Sequence, residues 1–145
     1  WDNNNKTYTF FSSKKLITFG ALTSEHQFYY DFYDAQNSLT FRSFLRRVIE
    51  QLDSHRKYVF ILDNAGFHKT QTVRNLLAEF EIEIVFEFIP PYSPELNPIE
   101  TCWKVTKHAV TKSQYYPTTD AMQIALETFW EGHIFMQNFI TYLCR

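Results

Sequence analysis

The sequence predicts an α/β fold in which a mixed sheet is flanked by helices. Segments rich in β-branched and aromatic residues open the chain, and its middle alternates strand, helix, strand, helix and strand. The last third follows helical spacing that proline and glycine interrupt. An antiparallel meander followed by strand–helix–strand units indicates parallel middle strands, joined by right-handed crossovers.

The meander is predicted at residues 7–11, 16–23 and 27–33. Ser38 is predicted to cap the first helix. The apolar residues of that helix recur every three or four positions, at Phe41, Phe44, Leu45, Val48, Ile49 and Leu52.

Two strands and three helices are predicted in the rest of the chain. Residues 58–62 form an apolar run typical of a strand buried on both faces, and residues 82–89 predict the next strand. A helix between them carries Val73, Leu76, Leu77 and Phe80. Two further helices are predicted, from residue 98 to about 110 and over 119–144, the second with a break at Gly132.

Composition limits the classes of protein that this chain can be. It has 145 residues, 45% of them hydrophobic, with 15 Phe, 9 Tyr and 3 Trp, which is enough apolar material for one sizeable core. The net charge of −2 excludes a strongly basic protein that coats nucleic acid, but not an enzyme that acts on it. Two cysteines are too few for a disulfide scaffold. Because the chain begins at Trp1, we expect a single domain, residues 1–145, truncated at its N-terminal side.

Acidic residues concentrate in the middle of the chain. Residues 61–103 carry seven acidic and two basic side chains. The glutamates of residues 79–87 alternate with apolar residues, which indicates the solvated side of a half-buried strand. Asp63 differs from these glutamates because it directly follows the predicted strand 58–62. Open α/β sheets bind ligands beyond the carboxyl ends of their strands, so Asp63 is placed where a ligand would bind. Asp63 equally suits the first position of the turn Asp-Asn-Ala-Gly, so both interpretations stay open.

Glu100 follows a stiff segment with the sequence PPYSPELNPI and falls near the first turn of a helix that begins at about Pro98. One interpretation is a carboxylate that complements the helix dipole, worth roughly a few tenths of a kcal/mol. The other is a catalytic carboxylate, because a rigid lead-in fixes a side chain and a misplacement of about 1 Å costs orders of magnitude in rate. Since hard divalent cations prefer carboxylate oxygens, Asp63 and Glu100 are the candidate metal-binding and catalytic residues.

Two motifs carry the most specific signal in the chain. They are DNAGFH at residues 63–68 and the longer PPYSPELNPIE at residues 90–100, followed by Trp103 and Lys107. Together with GAL at residues 20–22, they resemble the catalytic domain of DDE transposases, in the mariner-like superfamily and its bacterial insertion-sequence relatives. The resemblance covers about residues 14–130 and implies a ribonuclease-H-like fold.

The resemblance also implies a mechanism. Asp63 matches the second acid of the family's triad and Glu100 the third, with 36 residues between them. The triad would hold two Mg²⁺ or Mn²⁺ ions about 3.5–4 Å apart, so we expect both carboxylates within reach of one common cation. Water attacks first and frees a DNA 3′-OH, which then attacks target DNA. The implied partners are DNA, as element ends and as target, and a second copy of the protein in a homodimeric assembly.

The family's first Asp lies on the first strand, and this chain has no convincing counterpart. Asp2 precedes Asn3-Asn4-Asn5 and does not lie inside an apolar strand. We therefore expect the first acid and its strand to lie upstream of Trp1, with Asp2 as the fallback. The sheet is then expected to lack its first strand, which leaves the activity of this fragment by itself open.

Three residues near the acids have candidate supporting roles. His68 is placed either to hydrogen-bond a phosphate or a metal-bound water, or to orient the turn after Asp63. Asn64 and Asn97 fit local hydrogen bonds better than metal ligands.

Lys104 and Lys107 are candidate DNA-binding residues. They lie four and seven residues after Glu100 and share its helical face, beside the phosphates of a bound strand. The alternative for Lys104 is an ion pair with Glu100 on a solvated surface. Trp103 fits a core position better than a base-stacking platform.

The predicted function is metal-dependent DNA cleavage and strand transfer, the transposition of a mobile element. One alternative is a truncated or degenerate relic that folds but catalyses nothing, because the first acid is missing. Another is a generic ribonuclease-H-like nuclease, which explains the carboxylates but not the segment 90–100. The expected location is the cytoplasm, with the nucleoid, in a prokaryote, or the nucleus in a eukaryote.

Overall fold

The computed structural model describes residues 5–9 and 15–136, with side chains from residue 16 onward. Asp2 and the predicted helical continuation over residues 137–144 lie outside the described residues. In chain order the elements are β1 (Asn5–Thr9), β2 (Lys15–Leu22), β3 (Phe28–Tyr33), α1 (Ser38–Ile49), β4 (Lys57–Leu62), α2 (Gln71–Ala78), β5 (Glu83–Phe88), α3 (Ile99–Thr106) and α4 (Thr119–Gly132).

The elements belong to two compact units. One consists of residues 1–34 and 98–145, and the other of residues 35–97. The order of strands and helices agrees with the order predicted from the sequence, but the described strands form two sheets instead of one mixed sheet. One sheet is wholly antiparallel and the other wholly parallel.

The antiparallel sheet has the order β1-β2-β3, so β2 lies in its middle. The strands are paired as a meander, with Thr18 opposite Phe32 in the register of β2 and β3. The turn between these two strands is closed by a hydrogen bond from the Thr23 amide to the Gln27 carbonyl. The predicted antiparallel meander is therefore confirmed.

Helices α3 and α4 share a hydrophobic core with this sheet. Trp103 of α3 and Trp130 of α4 both contact Phe28 of β3, with ring centroids 5.9 and 5.3 Å away. The indole Nε1 of Trp130 donates a hydrogen bond of 2.9 Å to Oγ1 of Thr106, which ties the two helices together. Trp103 is 1% exposed, which confirms its predicted place in the core.

Gly20 lets α3 approach β2 closely. A Cβ built on Gly20 would lie 2.5 and 2.8 Å from two ring carbons of Trp103, and 3.2 Å from Phe28. Real Cβ atoms essentially never come so near another heavy atom. The missing side chain of Gly20 therefore sets how close the helix that carries Glu100 can come to this sheet.

The second unit contains the parallel pair β4 and β5, connected through α2. The pairing puts Leu62 opposite Phe88 at the carboxyl ends of the strands. Helix α1 buries the face predicted from its periodicity, with Phe41, Phe44, Leu45, Val48 and Ile49 all in the core. Its cap lies one residue before the predicted Ser38, because the Asn37 side chain accepts hydrogen bonds from the amides of Leu39 and Thr40.

The prediction that residues 58–62 are buried on both faces is wrong. Val59 is 61% exposed and its register partner Val85 is 46% exposed, whereas Phe60 and Phe86 stack on the opposite face and are half-buried. An unbroken apolar run cannot reveal which of its two faces is covered, because side chains alternate along a strand.

The helices after residue 97 begin and end close to the residues that the sequence predicts. Pro98 caps α3, and the helix passes into a π-helical turn at Lys107–Thr111, which ends near the predicted residue 110. Helix α4 ends at Gly132, the predicted break. No helix in the described part of the chain is both long and apolar enough to span a membrane.

Candidate active site

Asp63 is held at the end of β4 by local polar contacts. Its carboxylate oxygen Oδ1 accepts a hydrogen bond of 3.0 Å from the Ala65 amide, which closes a tight turn directly after the strand. The same oxygen lies 3.0 Å from Nδ1 of His68. The residue is 8% exposed, so its carboxylate is fixed in a largely buried position.

His68 supports Asp63 from a short 3₁₀ turn at Gly66–Lys69. Its Nδ1 also lies 3.3 Å from the Asp63 main-chain carbonyl, and because both oxygens accept only, Nδ1 carries the proton. The ring is fully buried between aromatic neighbours, with centroids 4.4 Å from both Phe41 and Phe67. This geometry matches the interpretation in which His68 orients the turn after Asp63.

Asn64 and Lys69 form a polar contact beside this turn. Asn64 is exposed, and its side-chain oxygen accepts a hydrogen bond from the Lys69 ammonium group. The same ammonium group lies over the ring of Phe88, 4.7 Å from its centroid. Asn64 therefore makes the local hydrogen bond that its residue type favours.

The chain after β5 leaves the parallel sheet at the same edge as Asp63. The Ile89 amide donates a hydrogen bond of 2.8 Å to the carbonyl of Leu62, the residue just before Asp63. The carboxyl ends of β4 and β5 therefore lie at the same edge of the sheet, which is where open α/β sheets bind ligands.

The segment between Ile89 and α3 combines a strained residue with a buried one. Tyr92 has a φ of 60°, the left-handed region that a bulky residue rarely adopts, and its side chain is 99% exposed. A 3₁₀ turn at Pro94–Leu96 follows, and the Asn97 amide donates to the Pro94 carbonyl at 3.0 Å. Asn97 is buried, in keeping with a local structural role.

Glu100 lies on the first turn of α3, as predicted, and is partly buried, with its oxygen Oε1 shielded from solvent. The helix that carries it is anchored by packing, because Cys102, Trp103 and Thr106 are almost completely buried in the core. The position of Glu100 therefore depends on the packing of residues that are distant in sequence, including the bare backbone of Gly20 against Trp103.

Lys104 and Lys107 are both exposed. In the part of the chain with described side chains, Lys104 forms no ion pair with Glu100, so the solvated-pair interpretation is not seen. Lys107 begins the π-helical turn, where the Lys112 amide donates to its carbonyl at 2.7 Å.

Cys102 is a buried free thiol. Burial, reinforced by the nearby charge of Glu100, raises the pKa of Cys102 to about 12, although a backbone hydrogen bond opposes the shift. Among residues with described side chains, no three His, Cys, Asp or Glu residues come together as a metal-binding group.

The two candidate acids lie in different units, Asp63 in residues 35–97 and Glu100 in the unit that includes residues 98–145. The expectation that they share one cation therefore stays a prediction. Two features add to what the sequence predicts: the contact of Asp63 to the Ala65 amide, which closes the turn considered for this residue, and the left-handed conformation of Tyr92. The first follows from the Asx-turn tendency of Asp, whereas no propensity rule places a tyrosine at positive φ.

Part of this chain is similar in sequence to a curated protein. The uncharacterized protein y4pE/y4sA of Sinorhizobium fredii is 37% identical over 60 residues, which is 41% of this chain and 41% of that protein. The matched segment thus spans about two fifths of the length of that relative.

Two solved structures share the fold. A structure of the Mos1 transposase catalytic domain with raltegravir and Mg has a TM-score of 0.68 at 19% identity, covering 89% of this chain and 69% of that one. The Mos1 transposase paired-end complex with left transposon end has a TM-score of 0.68 at 19% identity, covering 94% of this chain and 41% of that one. The predicted ribonuclease-H-like fold is therefore confirmed.

The family of this chain follows from a match that covers most of its sequence. A family model described as DDE superfamily endonuclease matches residues 3–123, most of the chain and both motifs. The chain therefore belongs to the DDE superfamily of endonucleases.

Proposed function

We propose that Asp63 and Glu100 are two of the carboxylates of a divalent-metal site that cleaves DNA and transfers the cut strand to target DNA. The observation that carries the proposal is the environment of Asp63. A carboxylate at the carboxyl end of a parallel strand is fixed by an amide and by a buried histidine. Surface turns do not need a fully buried partner for their aspartate, whereas metal ligands are oriented in this way.

The donor set fits Mg²⁺ or Mn²⁺. Both ions prefer carboxylate oxygens, and neither acid is fully exposed. When two ions are bound, they supply Lewis-acid activation of the attacking oxygen and stabilisation of the leaving oxygen. The Mos1 catalytic domain with Mg supports this choice of metal.

Each remaining residue has a role that follows from its surroundings. His68 is a positioning residue, because it holds the Asp63 carboxylate by Nδ1–H. Lys104 and Lys107 are exposed on the stretch that begins with Glu100, and we assign them to DNA phosphates. We assign Asn64 and Asn97 local structural roles beside the acids, through the side-chain contact of Asn64 to Lys69 and the main-chain bond of Asn97 to Pro94.

DNA is the proposed substrate, in the form of the ends of a mobile element and of target DNA. The Mos1 complex with a left transposon end supports this choice. We further propose a homodimer as the active assembly, since two element ends must be brought together for strand transfer.

The test is metal-dependent nicking and strand transfer by the full-length protein. Asp63→Asn and Glu100→Gln should each lower the nicking rate by about a thousand-fold or more, because metal stabilisation of the transition state is worth several kcal/mol. The matched controls are Asp53→Asn and Glu95→Gln, which neutralise exposed acids nearby in sequence and should nick like the wild type.

Other outcomes separate the alternatives. Unchanged nicking in both Asp63→Asn and Glu100→Gln would overturn the assignment of the acids. A folded wild-type protein that never nicks DNA indicates a relic. Nicking without strand transfer indicates a nuclease of another kind.

A further inference from the structure

Tyr92 is the residue whose conformation the fold explains least. Its φ of 60° lies in the left-handed region. This conformation costs free energy for a residue with a bulky side chain, whereas a glycine would adopt it freely. Its ring is 99% exposed, so the ring gains nothing from burial. Neither backbone preference nor packing therefore accounts for a tyrosine here, and strained residues of this kind concentrate at functional sites.

The segment restrains the backbone that carries this exposed ring. Pro91 precedes Tyr92 and Pro94 follows two residues later, and each proline fixes its own φ and restrains the residue before it. On the C-terminal side the chain continues into the 3₁₀ turn Pro94–Leu96. A contact made by Tyr92 therefore costs little backbone entropy.

Tyr92 is joined by a short length of chain to the sheet edge that carries Asp63. The Ile89 amide is hydrogen-bonded to the carbonyl of Leu62, the neighbour of Asp63. Tyr92 follows Ile89 by three residues, at most about 11 Å of extended chain. That distance corresponds to about three steps of a DNA strand at 3.4 Å each.

We propose that Tyr92 is a stacking platform for a nucleobase that lies within about three nucleotides of the cleaved phosphate. This proposal rests on the proposed function, since it takes DNA as the substrate. The partner is a base face and not a phosphate, because the exposed neighbours Glu87 and Glu95 are acidic and repel phosphates, whereas an aromatic ring stacks on any base. A protein partner for the ring is the competing possibility.

The experiment uses the full-length protein and a pre-nicked DNA duplex that carries 2-aminopurine at one position at a time, from three nucleotides before the nick to three after it. Stacking on an aromatic ring quenches the fluorescence of this base analogue. Wild type and Tyr92→Phe should quench it at one or two positions, and Tyr92→Ala should not. Tyr92→Ala should also lower DNA affinity about 10-fold, the usual effect of removing a stacked aromatic residue.

Two further variants separate loss of the contact from loss of the fold. Tyr92→Gly and Tyr92→Asn suit positive φ better, so they should raise the melting temperature while they abolish quenching. Tyr115→Ala is the matched control, because Tyr115 is another largely exposed tyrosine, at a different place in the chain. It should quench like the wild type.

Several results would overturn the proposal. One is equal quenching by wild type and Tyr92→Ala, and another is no quenching by the wild type at any position. Unchanged quenching combined with loss of self-association in Tyr92→Ala would assign the ring to a protein interface instead. If Asp63→Asn stops nicking while Tyr92→Ala changes nothing, the proposed function stands and only the stacking role fails.

Discussion

The two candidate acids are positioned by different means. Asp63 depends on contacts within its own turn: the Ala65 amide and the buried His68 ring both reach its Oδ1. Glu100 depends on a helix that is held by an aromatic core, in which Trp103 fits against the bare backbone of Gly20. One carboxylate is therefore fixed by local polar contacts and the other by packing between distant segments.

This difference indicates how each acid can be disturbed. A change of one hydrogen-bonding atom next to Asp63 should act on that carboxylate while the fold is kept. The Glu100 helix should instead respond to volume changes in the core, and such changes alter stability as well. Changes at Cys102 and Gly20 test the packing around the Glu100 helix, and changes at His68 test the local support of Asp63.

The tightness of packing around the Glu100 helix is tested by the reactivity of Cys102. Because burial raises its pKa from the ordinary value of 9.0 to about 12, the thiolate population at pH 8 should fall about a thousand-fold. Cys144, the second cysteine of the chain, is first replaced by serine so that only Cys102 is labelled. Alkylation by iodoacetamide should then be at least that much slower in native protein than in urea. The native rate should rise about tenfold per pH unit through pH 9 to 11. Native labelling as fast as in urea would mean that the core around α3 is open.

The contact between Gly20 and Trp103 is tested by Gly20→Ala. The new methyl group meets ring carbons at 2.5 and 2.8 Å, so overpacking should lower the free energy of unfolding by about 1–3 kcal/mol. The control is Gly132→Ala at the exposed last residue of α4, where the methyl group meets nothing within 4 Å, so the free energy of unfolding should change by no more than about 0.5 kcal/mol. Urea denaturation measures both values. Equal midpoints for the two variants would contradict a close contact at Gly20.

The local support of Asp63 is tested by two conservative changes of His68. Asn places an amide nitrogen near the position of Nδ1, whereas Gln places it near Nε2, so only His68→Asn keeps a donor toward the carboxylate. We expect His68→Gln to weaken Mn²⁺ binding about 10-fold, with His68→Asn closer to the wild type. Urea midpoints serve as the control for folding. Wild-type affinity in His68→Gln would remove the positioning role.

The sequence predicts more of the architecture than of the contacts at the site. The strand order, the apolar face of α1 and the ends of α3 and α4 follow from periodicity and from proline and glycine, which act locally. Asp63 and Glu100 could be selected as candidate catalytic residues because each lies in a distinctive motif, DNAGFH and PPYSPELNPIE respectively. The exposure of Val59 could not be predicted, because the covered face of a strand depends on elements distant in sequence.

Two site features show the same limit. The sequence leaves two roles open for His68, because the order of residues does not determine which ring nitrogen reaches which oxygen of Asp63. The role of Gly20 requires Trp103, which lies 83 residues later, and no local pattern connects the two.

The proposal that Asp63 and Glu100 bind a common divalent ion can be tested with a double-mutant cycle. Mn²⁺ affinity and stoichiometry are measured by titration calorimetry for the full-length wild type, Asp63→Asn, Glu100→Gln and the double variant. Residues that share a ligand have strongly non-additive effects. If the two acids share an ion, each single variant should lose at least about 10-fold in Mn²⁺ affinity and the double variant should be hardly weaker than either. Additive losses, or separate sites that disappear one with each substitution, would contradict it.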